Sequence, residues 1–262
     1  MRGKYKKLKA LLAQCPGAAV AFSGGVDSTF LLHAACVALG PENVHALHAR
    51  SPLLPAADTL RVADTVRSLG CRSSFLDIDP FAWPEFVQNQ ADRCYHCKKK
   101  IYHAFLSAVH PVQAIPLVDG TNQDDLQEDR PGLKAISELH VATPLAEAGL
   151  TKKEIRLLSR EFGLPSWNAH SASCFATRIG CGEVITKEKI HFVSEAESLL
   201  AGMGFFAVRV RLSGQTATIV PLEKDLVRIK EKDVFTVIKE GFVSLGAQDV
   251  SVGAVGRPDI AL

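Results

Sequence analysis

The sequence contains no hydrophobic run long enough to cross a membrane, and it carries almost no net charge. The basic N-terminal segment, MRGKYKKLKALLAQC, has an apolar stretch too short and too interrupted for a signal peptide or a membrane span. A net charge of +2 gives little long-range attraction for a nucleic-acid backbone. We therefore expect a cytoplasmic protein without a membrane anchor, and bulk nucleic-acid binding is not indicated.

The sequence also lacks internal repeats, low-complexity segments and the cysteine pattern of a secreted disulfide scaffold. Its seven cysteines are an odd number, spread along a chain with no secretory signal, so reduced thiols, metal ligands or catalytic sulfur remain as interpretations. The length of 262 residues and the hydrophobic share of 47% suit one full α/β domain with a smaller companion.

Hydrophobic periodicity predicts alternating strands and helices in the first part of the chain. The predicted strands cover residues 18–22, 44–49, 73–77 and 115–119, and the predicted helices cover 29–39, 56–69, 98–109 and 151–162. This alternation predicts an α/β fold, an open doubly wound parallel sheet that binds ligands at the carboxyl ends of its strands.

A different pattern begins near residue 187 and predicts a small α+β domain. Its predicted elements are a helix at 187–200, strands at 207–212, 216–220 and 249–252, and a helix at 224–229 or 235–239. We place the domain boundary just after the helix at 151–162, which gives domains of residues 1–165 and 166–262.

The segment SGGVDS, residues 23–28, lies between a predicted strand and a predicted helix. Glycines let the backbone bend so that several amides converge, and the helix N-terminus adds positive partial charge, so polyphosphate is the expected ligand. The segment is not the mononucleotide P-loop, because that motif requires a lysine and SGGVDS has none. The alternative is a simple glycine turn with a capping serine.

The segment RCYHCK places Cys94 and Cys97 in a C-x-x-C pair ahead of the basic run 98–100. Two thiolates at this spacing can bind one metal or cluster iron, and nearby cations favour the thiolate. Redox disulfide exchange and incidental thiols are the alternatives, since two cysteines do not complete a four-ligand zinc site.

A third candidate, Cys174, lies in SASCFATRIGCGEVIT, which predicts a tight loop. Arg178 follows four residues later and would lower the pKa of the Cys174 thiol if the two side chains meet. Cys181 is a possible fourth thiol. The remaining cysteines are most simply core residues; they are Cys15, Cys36 and Cys71.

Five segments together resemble the LarE family of sulfur transferases in the PP-loop ATP pyrophosphatase superfamily. They are SGGVDS, RCYHCK, DGTNQDDLQEDRPGLKA, SASCFATRI and VRVR, so the resemblance runs over nearly the whole chain. It implies an enzyme of nickel-pincer nucleotide cofactor biosynthesis. With ATP, the enzyme would adenylate the carboxylates of pyridinium-3,5-biscarboxylic acid mononucleotide, release AMP and pyrophosphate, and convert the carboxylates into thiocarboxylates.

The resemblance implies roles for individual residues. The expected catalytic set is Asp27, which would position magnesium, with Lys98, Cys174 and Arg178. The expected nucleotide-binding residues are Ser23, Gly24, Gly25, Asp27, Ser28 and Gly120. The expected substrate-binding residues are Glu197, Arg209 and Arg211. By their own pattern, the two arginines are equally compatible with a solvated strand face and Glu197 with a surface position.

Family members are of two chemical kinds. In one, a single cysteine gives up its own sulfur and becomes dehydroalanine. In the other, three cysteines hold a 4Fe-4S cluster that is thought to carry the transferable sulfide. Cys174 matches the cysteine common to both kinds, and Cys94 and Cys97 match the additional pair, so the resemblance implies the cluster-dependent form. It also implies a homo-oligomer and a sulfur donor as partner.

Two positions depart from the family pattern. Arg228 stands where an acid is expected, with Glu223 or Asp225 as possible substitutes, and Cys181 replaces a common aromatic residue. Three other functions remain open: a transfer-RNA thiolase, an ammonia-dependent amide synthetase and a non-catalytic zinc-binding module. The thiolase would call for a broad basic surface, and the synthetase has no use for the cysteine set.

Overall fold

The computed structural model describes residues 1–109, 115–128, 130–169 and 173–256. The strands are β1 (Ala18–Ala21), β2 (Val44–Arg50), β3 (Arg72–Asp77), β4 (Leu117–Val118), β5 (Arg209–Ser213), β6 (Thr216–Val220) and β7 (Asp249–Val252). The helices are α1 (Arg2–Leu12), α2 (Val26–Leu39), α3 (Ala56–Leu69), α4 (Pro84–Val87), α5 (Arg93–Val109), α6 (Pro131–Glu138), α7 (Pro144–Glu147), α8 (Lys152–Glu161), α9 (Lys187–Gly202), α10 (Glu223–Lys230) and α11 (Lys232–Ser244).

The described part of the first half forms a four-stranded sheet in the order β3-β2-β1-β4. Each neighbouring pair in this sheet is parallel, which confirms the predicted α/β class. β1 is buried along its whole length, as expected for a strand covered by helices on both faces. One face packs on α2 and α8 through residues such as Phe30 and Leu158, and the other on α5 through Tyr102 and Phe105.

The C-terminal part contains a three-stranded sheet in the order β5-β6-β7, antiparallel between the first two strands and parallel between the last two. It packs against α9 and α11 in a second core that includes Phe205 and Phe242. Leu53 and Phe86, which precede residue 165, are buried in the same core. The predicted boundary between residues 165 and 166 stays a prediction. The last residues of the predicted second domain, 257–262, lie outside the described ranges.

Several element boundaries differ from those predicted. α2 begins at Val26 rather than at residue 29, and α5 begins at Arg93 rather than at 98. β4 is only two residues long, and both alternative C-terminal helices form, as α10 and α11. The predicted start of α8 is confirmed, because Thr151 and Glu154 form a reciprocal capping box. Within the described ranges, every helix is too short or too polar to span a lipid bilayer.

Candidate active site

The SGGVDS segment forms a tight turn from the end of β1 into the first turn of α2. Gly24 has a φ of +80°, and a Cβ atom there would lie 2.6 Å from Val62 Cγ2, so this position requires glycine. The hydroxyls of Ser23 and Ser28 hydrogen-bond at 3.0 Å, and the Ser23 amide donates to Ser28 Oγ at 3.3 Å. The turn therefore presents hydroxyls and helix N-terminal amides together, an arrangement suited to an anion.

A cavity of about 390 Å³, named the nucleotide cavity after its predicted ligand, lies at the carboxyl ends of β1, β2 and β4. Its wall includes five of the six predicted nucleotide-binding residues, together with Lys98 of the predicted catalytic set; the five are Ser23, Gly25, Asp27, Ser28 and Gly120. A Cβ atom on Gly120 would lie 3.0 Å from the Ser28 amide nitrogen, so glycine allows the loop after β4 to approach the start of α2. Gly24 instead lines a second cavity, on the α3 side of the turn.

Asp27 forms an ion pair with Lys152, the first residue of α8. The Asn122 side-chain amide also lies 3.4 Å from Asp27 Oδ1. Burial raises the pKa of Asp27, and Lys152 opposes that rise without cancelling it. Lys152 was not among the predicted site residues, because 125 positions separate it from Asp27. The sequence signal that could have indicated Lys152 is its position in the first turn of α8, a helix whose start was predicted correctly.

Helix α5 contributes Lys98 and Tyr102 to the cavity wall. Lys98 Nζ lies 3.4 Å from Asp119 Oδ2 and 5.1 Å from the centre of the Tyr102 ring, and the Tyr102 hydroxyl donates to Asp119. Burial raises the pKa of Asp119, but Lys98, Thr121 and Tyr102 outweigh it, so the pKa lies below its ordinary value. A charged carboxylate therefore holds the Lys98 ammonium at the cavity.

The three predicted cysteine ligands lie on two segments that pack against each other. Cys94 and Cys97 lie in the first turns of α5, and Cys174 immediately precedes a short 3₁₀ helix, Phe175–Arg178. Burial and then the Cys174 and Cys94 thiols raise the pKa of Cys97 to about 12. Cys97 and Cys174 are both partly buried and pack against the same hydrophobic core.

Arg93 connects the two segments that carry these cysteines. Its Nη1 donates to the Ala176 carbonyl at 3.0 Å, and its Nη2 lies 3.5 Å from Cys94 Sγ. The same guanidinium also donates to the Asn89 side chain, whose amide donates to the Gly180 carbonyl at 2.7 Å. Arg93 thus fixes α5 against the loop that contains Cys174.

Arg178 lowers the pKa of Cys174 as expected, but the net shift of this pKa is upward. Burial raises the pKa, and the lowering by the Ala176 backbone, Arg93 and Arg178 is too small to offset it. Part of the predicted tight loop, Phe175–Arg178, forms the short 3₁₀ helix. Ser171 and Ala172 of the same segment lie outside the described residues, as does Asp129 of the segment 119–135.

Arg178 and Glu197 form an ion pair beneath the Cys174 segment. Arg178 is only 7% exposed; its Nε donates to Glu197 Oε1 at 2.8 Å and its Nη1 donates to the Ser173 carbonyl at 3.2 Å. The Val210 amide also donates to Glu197 Oε1, at 3.0 Å. The pair therefore links the Cys174 segment to α9 and β5. Glu197 is not a surface residue, and its role in substrate binding stays a prediction.

We expect Glu197→Ala to lower the free energy of unfolding by about 3 kcal/mol, because it leaves the buried Arg178 guanidinium without its carboxylate. Chemical denaturation of the variant and the wild type measures the difference. Glu195→Ala is the matched control, since Glu195 is exposed on the same helix and its removal should change little. Equal stability of the two variants would contradict the structural role of the pair.

Arg209 and Arg211 alternate along β5 and line a third cavity, of about 500 Å³. Its other walls come from β6 and from the segment after β7, and it shares no lining residue with the nucleotide cavity. Arg228 lies outside it, with its guanidinium over the Phe205 ring and donating to the Met203 carbonyl at 2.9 Å. Arg209 and Arg211 are thus placed to bind an anionic ligand in this third cavity.

The possible acid substitutes for Arg228 have different surroundings. Glu223 is exposed at a neighbouring cavity, whereas Asp225 has a buried carboxylate oxygen with no partner among the described residues. Cys181 is exposed, in a turn whose Gly182 amide donates to the Asn89 carbonyl at 2.8 Å. The role of Glu223 or Asp225 as the substitute acid and the role of Cys181 as an additional thiol therefore stay predictions.

A parallel sheet between helical layers, with a glycine turn and a cavity at its carboxyl edge, defines the PP-loop ATPase-like fold. No protein-family model matches the chain. It is 32% identical over 216 residues to the pyridinium-3,5-bisthiocarboxylic acid mononucleotide synthase of Lactiplantibacillus plantarum, covering 82% of this chain and 78% of that protein. The chain therefore belongs to the LarE family, which confirms the resemblance seen in its motifs.

Two uncharacterised proteins are also similar over most of their length. One, from Synechocystis, is 32% identical over 219 residues, which cover 84% of this chain and 81% of that protein. The other, from Methanocaldococcus jannaschii, is 27% identical over 229 residues, which cover 87% of this chain and 83% of that protein.

Proposed function

We propose that the protein is an ATP-dependent sulfur transferase that converts the carboxylates of pyridinium-3,5-biscarboxylic acid mononucleotide into thiocarboxylates. The observation that carries the proposal is the placement of α5, whose first turns bear Cys94 and Cys97 and whose next residues line the nucleotide cavity. Lys98 directly follows Cys97, a rise of about 1.5 Å along the helix axis. The likeness to a protein named as the corresponding synthase supports the same substrate.

Adenylation activates a carboxylate, because oxide is a prohibitively poor leaving group and AMP is a feasible one. A carboxylate oxygen of the substrate attacks the α-phosphorus of ATP. The bond from that phosphorus to the bridging oxygen breaks, and pyrophosphate leaves with the electron pair. The Ser23 and Ser28 hydroxyls and the amides of the turn would bind the departing pyrophosphate, and Asp27 would hold magnesium. Lys98, held by Asp119, would stabilise the nucleotide.

Sulfide then attacks the acyl carbon, forms the carbon–sulfur bond and expels AMP, with loss of the sulfide proton. Cys94, Cys97 and Cys174 would hold a 4Fe-4S cluster, which supplies an iron position open to sulfide when bound. Among the described residues, no group of three His, Cys, Asp or Glu side chains is arranged around one metal ion. A cluster suits these thiols better, because each thiolate binds a different iron and the sulfurs need not converge.

The partly buried positions of Cys97 and Cys174 fit the same donor set. Their raised pKa values mean that both thiols are protonated at neutral pH in the absence of metal. Binding to cluster iron would displace these protons, and the Arg93 guanidinium would favour the resulting negative charge.

The test is anaerobic incubation of the protein with ATP, magnesium, the mononucleotide and sulfide. We expect AMP, pyrophosphate and a product in which mass spectrometry shows oxygen replaced by sulfur. AMP formation that requires transfer RNA, or that requires ammonia and yields an amide, would contradict the proposal in favour of the rival functions. Iron, sulfide and zinc analysis of the purified protein identifies the bound metal.

Arg209 and Arg211 are expected to bind the anionic mononucleotide rather than ATP. Replacing either by Ala should weaken mononucleotide binding about tenfold or more, since a hydrogen bond to a charged group contributes about 1.5–3 kcal/mol. ATP affinity should stay unchanged, because the two cavities share no lining residue. Calorimetric titration with each ligand checks both statements. Arg228→Ala, outside the cavity, is the control, and a loss confined to ATP affinity would contradict the assignment.

A further inference from the structure

Asn89 lies in the short connection between α4 and α5, four residues before Arg93. It is only 1% exposed, and its backbone is left-handed, with a φ of +55°. Asparagine adopts this conformation more readily than most residues other than glycine. A buried side-chain amide also needs hydrogen-bond partners, and most of the partners of Asn89 are distant in the sequence.

The Asn89 amide contacts both segments that carry the predicted cysteine ligands. Its Nδ2 donates to the Gly180 carbonyl at 2.7 Å and to the Glu183 carbonyl at 3.0 Å, so both of its N–H groups are used. Its Oδ1 accepts from Arg93 Nη1, which also donates to the Ala176 carbonyl at 3.0 Å. One buried amide therefore connects the start of α5 with the segment that contains the third cysteine.

We propose that Asn89 is a positioning residue for the three-cysteine site, which consists of Cys94, Cys97 and Cys174. Its amide sets the position of the Cys174 segment, residues 173–183, relative to α5, and thereby the separation of the α5 thiols from the Cys174 thiol. The identity of the group that the three thiols hold rests on the proposed function, whereas their separation can be measured in the metal-free protein.

Two backbone hydrogen bonds also anchor the Cys174 segment. The Phe175 amide donates to the Leu53 carbonyl at 2.9 Å, and the Gly182 amide donates to the Asn89 carbonyl at 2.8 Å. Neither bond involves the Asn89 side chain, so a variant at this position should still fold. Asn89→Asp would place a carboxylate oxygen against the two carbonyl oxygens that the amide now binds, and their repulsion would displace the segment.

The experiment measures thiol cross-linking in the metal-free protein by dibromobimane, a reagent that bridges two cysteines. Tryptic peptides separate the two α5 cysteines from Cys174, so mass spectrometry distinguishes a bridge within α5 from a bridge to the Cys174 segment. The bridge within α5 is the internal reference, because about one helical turn separates its two cysteines. Asn89→Asp should lower the yield of the second bridge relative to the first about tenfold or more.

Gln88→Glu is the matched control, because it makes the same change from amide to acid at the preceding residue, which is exposed. It should leave the cross-link ratio unchanged. After anaerobic incubation with iron and sulfide, Asn89→Asp should bind less iron than the wild type, while AMP formation continues because Asn89 does not line the nucleotide cavity. A residue that only stabilised the fold would lower iron binding and AMP formation together and would leave the cross-link ratio of the folded protein unchanged.

If Asn89→Asp does not fold, Asn89→Gly provides the same comparison, since glycine tolerates the positive φ and lacks the amide. An unchanged cross-link ratio in the folded variant would overturn the inference, as would a wild-type protein that forms no bridge between α5 and the Cys174 segment. A ratio that depends on Asn89, in a wild-type protein that binds no iron and transfers no sulfur, would support the positioning role and contradict the proposed function.

Discussion

Replacing Cys174 by Ala is expected to abolish sulfur transfer and to lower the iron content of the anaerobically purified protein, while AMP formation continues. Cys94, Cys97 and Cys174 lie on two segments that Arg93 joins, and each thiolate is expected to bind one iron of the same cluster. Loss of any one thiolate should therefore reduce cluster content. Adenylation should survive, because none of the three cysteines lines the nucleotide cavity.

Iron analysis, the visible absorption spectrum and mass spectrometry of the product measure this effect. Cys181→Ala is the control, since Cys181 is exposed and should leave the cluster in place. The sacrificial mechanism makes a different prediction: Cys94→Ala and Cys97→Ala would keep a single turnover, and Cys174 would become dehydroalanine. Dehydroalanine at position 174 in an active protein without iron would rule out the cluster mechanism.

Asp27→Asn should slow AMP and pyrophosphate formation by about a hundredfold or more, the scale seen when one preorganised electrostatic contact is removed. The substitution keeps the side-chain shape but removes the charge that would hold magnesium. A pyrophosphate-release assay with ATP and the mononucleotide measures the rate. Asp64→Asn is a suitable control, because Asp64 is 71% exposed and lies outside the nucleotide cavity.

The loss of activity should not reflect unfolding. Because the pKa of folded Asp27 is raised above its ordinary value of 3.8, the charged carboxylate reduces stability once the pH rises through that pKa. Asparagine removes this cost at neutral pH, and Lys152 is exposed enough to be solvated without its partner. We expect an unchanged or higher unfolding midpoint; a large drop would undermine the catalytic interpretation of Asp27.

Local signals in the sequence predicted much of the fold. Alternating periodicity predicted the parallel sheet, and the pair Thr151 and Glu154 predicted the start of α8 correctly. The start of α2 was placed too late, because Gly25 does not provide the side-chain cap that marks a helix start. The start of α5 was also placed too late, since this helix begins at Arg93. A helix that begins without a side-chain cap has no residue that marks its start in the sequence.

Motif chemistry likewise predicted a polyphosphate turn and a set of three cysteines. Ser23, Gly25, Asp27 and Ser28 were assigned to one site from the motif and Lys98 from the family resemblance, and all five residues line one cavity. Membership of the LarE family was likewise evident in the motifs, and the comparison with the Lactiplantibacillus plantarum synthase confirms it.

Residue types, periodicity and short motifs are local properties, so the sequence by itself determined the fold class, the family and most of the candidate site. Only the tertiary structure decided which distant charges meet, such as Lys152 with Asp27 and Arg178 with Glu197. It also decided that burial outweighs nearby arginines at Cys174 and raises the pKa of that thiol. Burial and long-range ion pairs depend on how the helices and sheets pack against one another, and no short stretch of sequence contains that information.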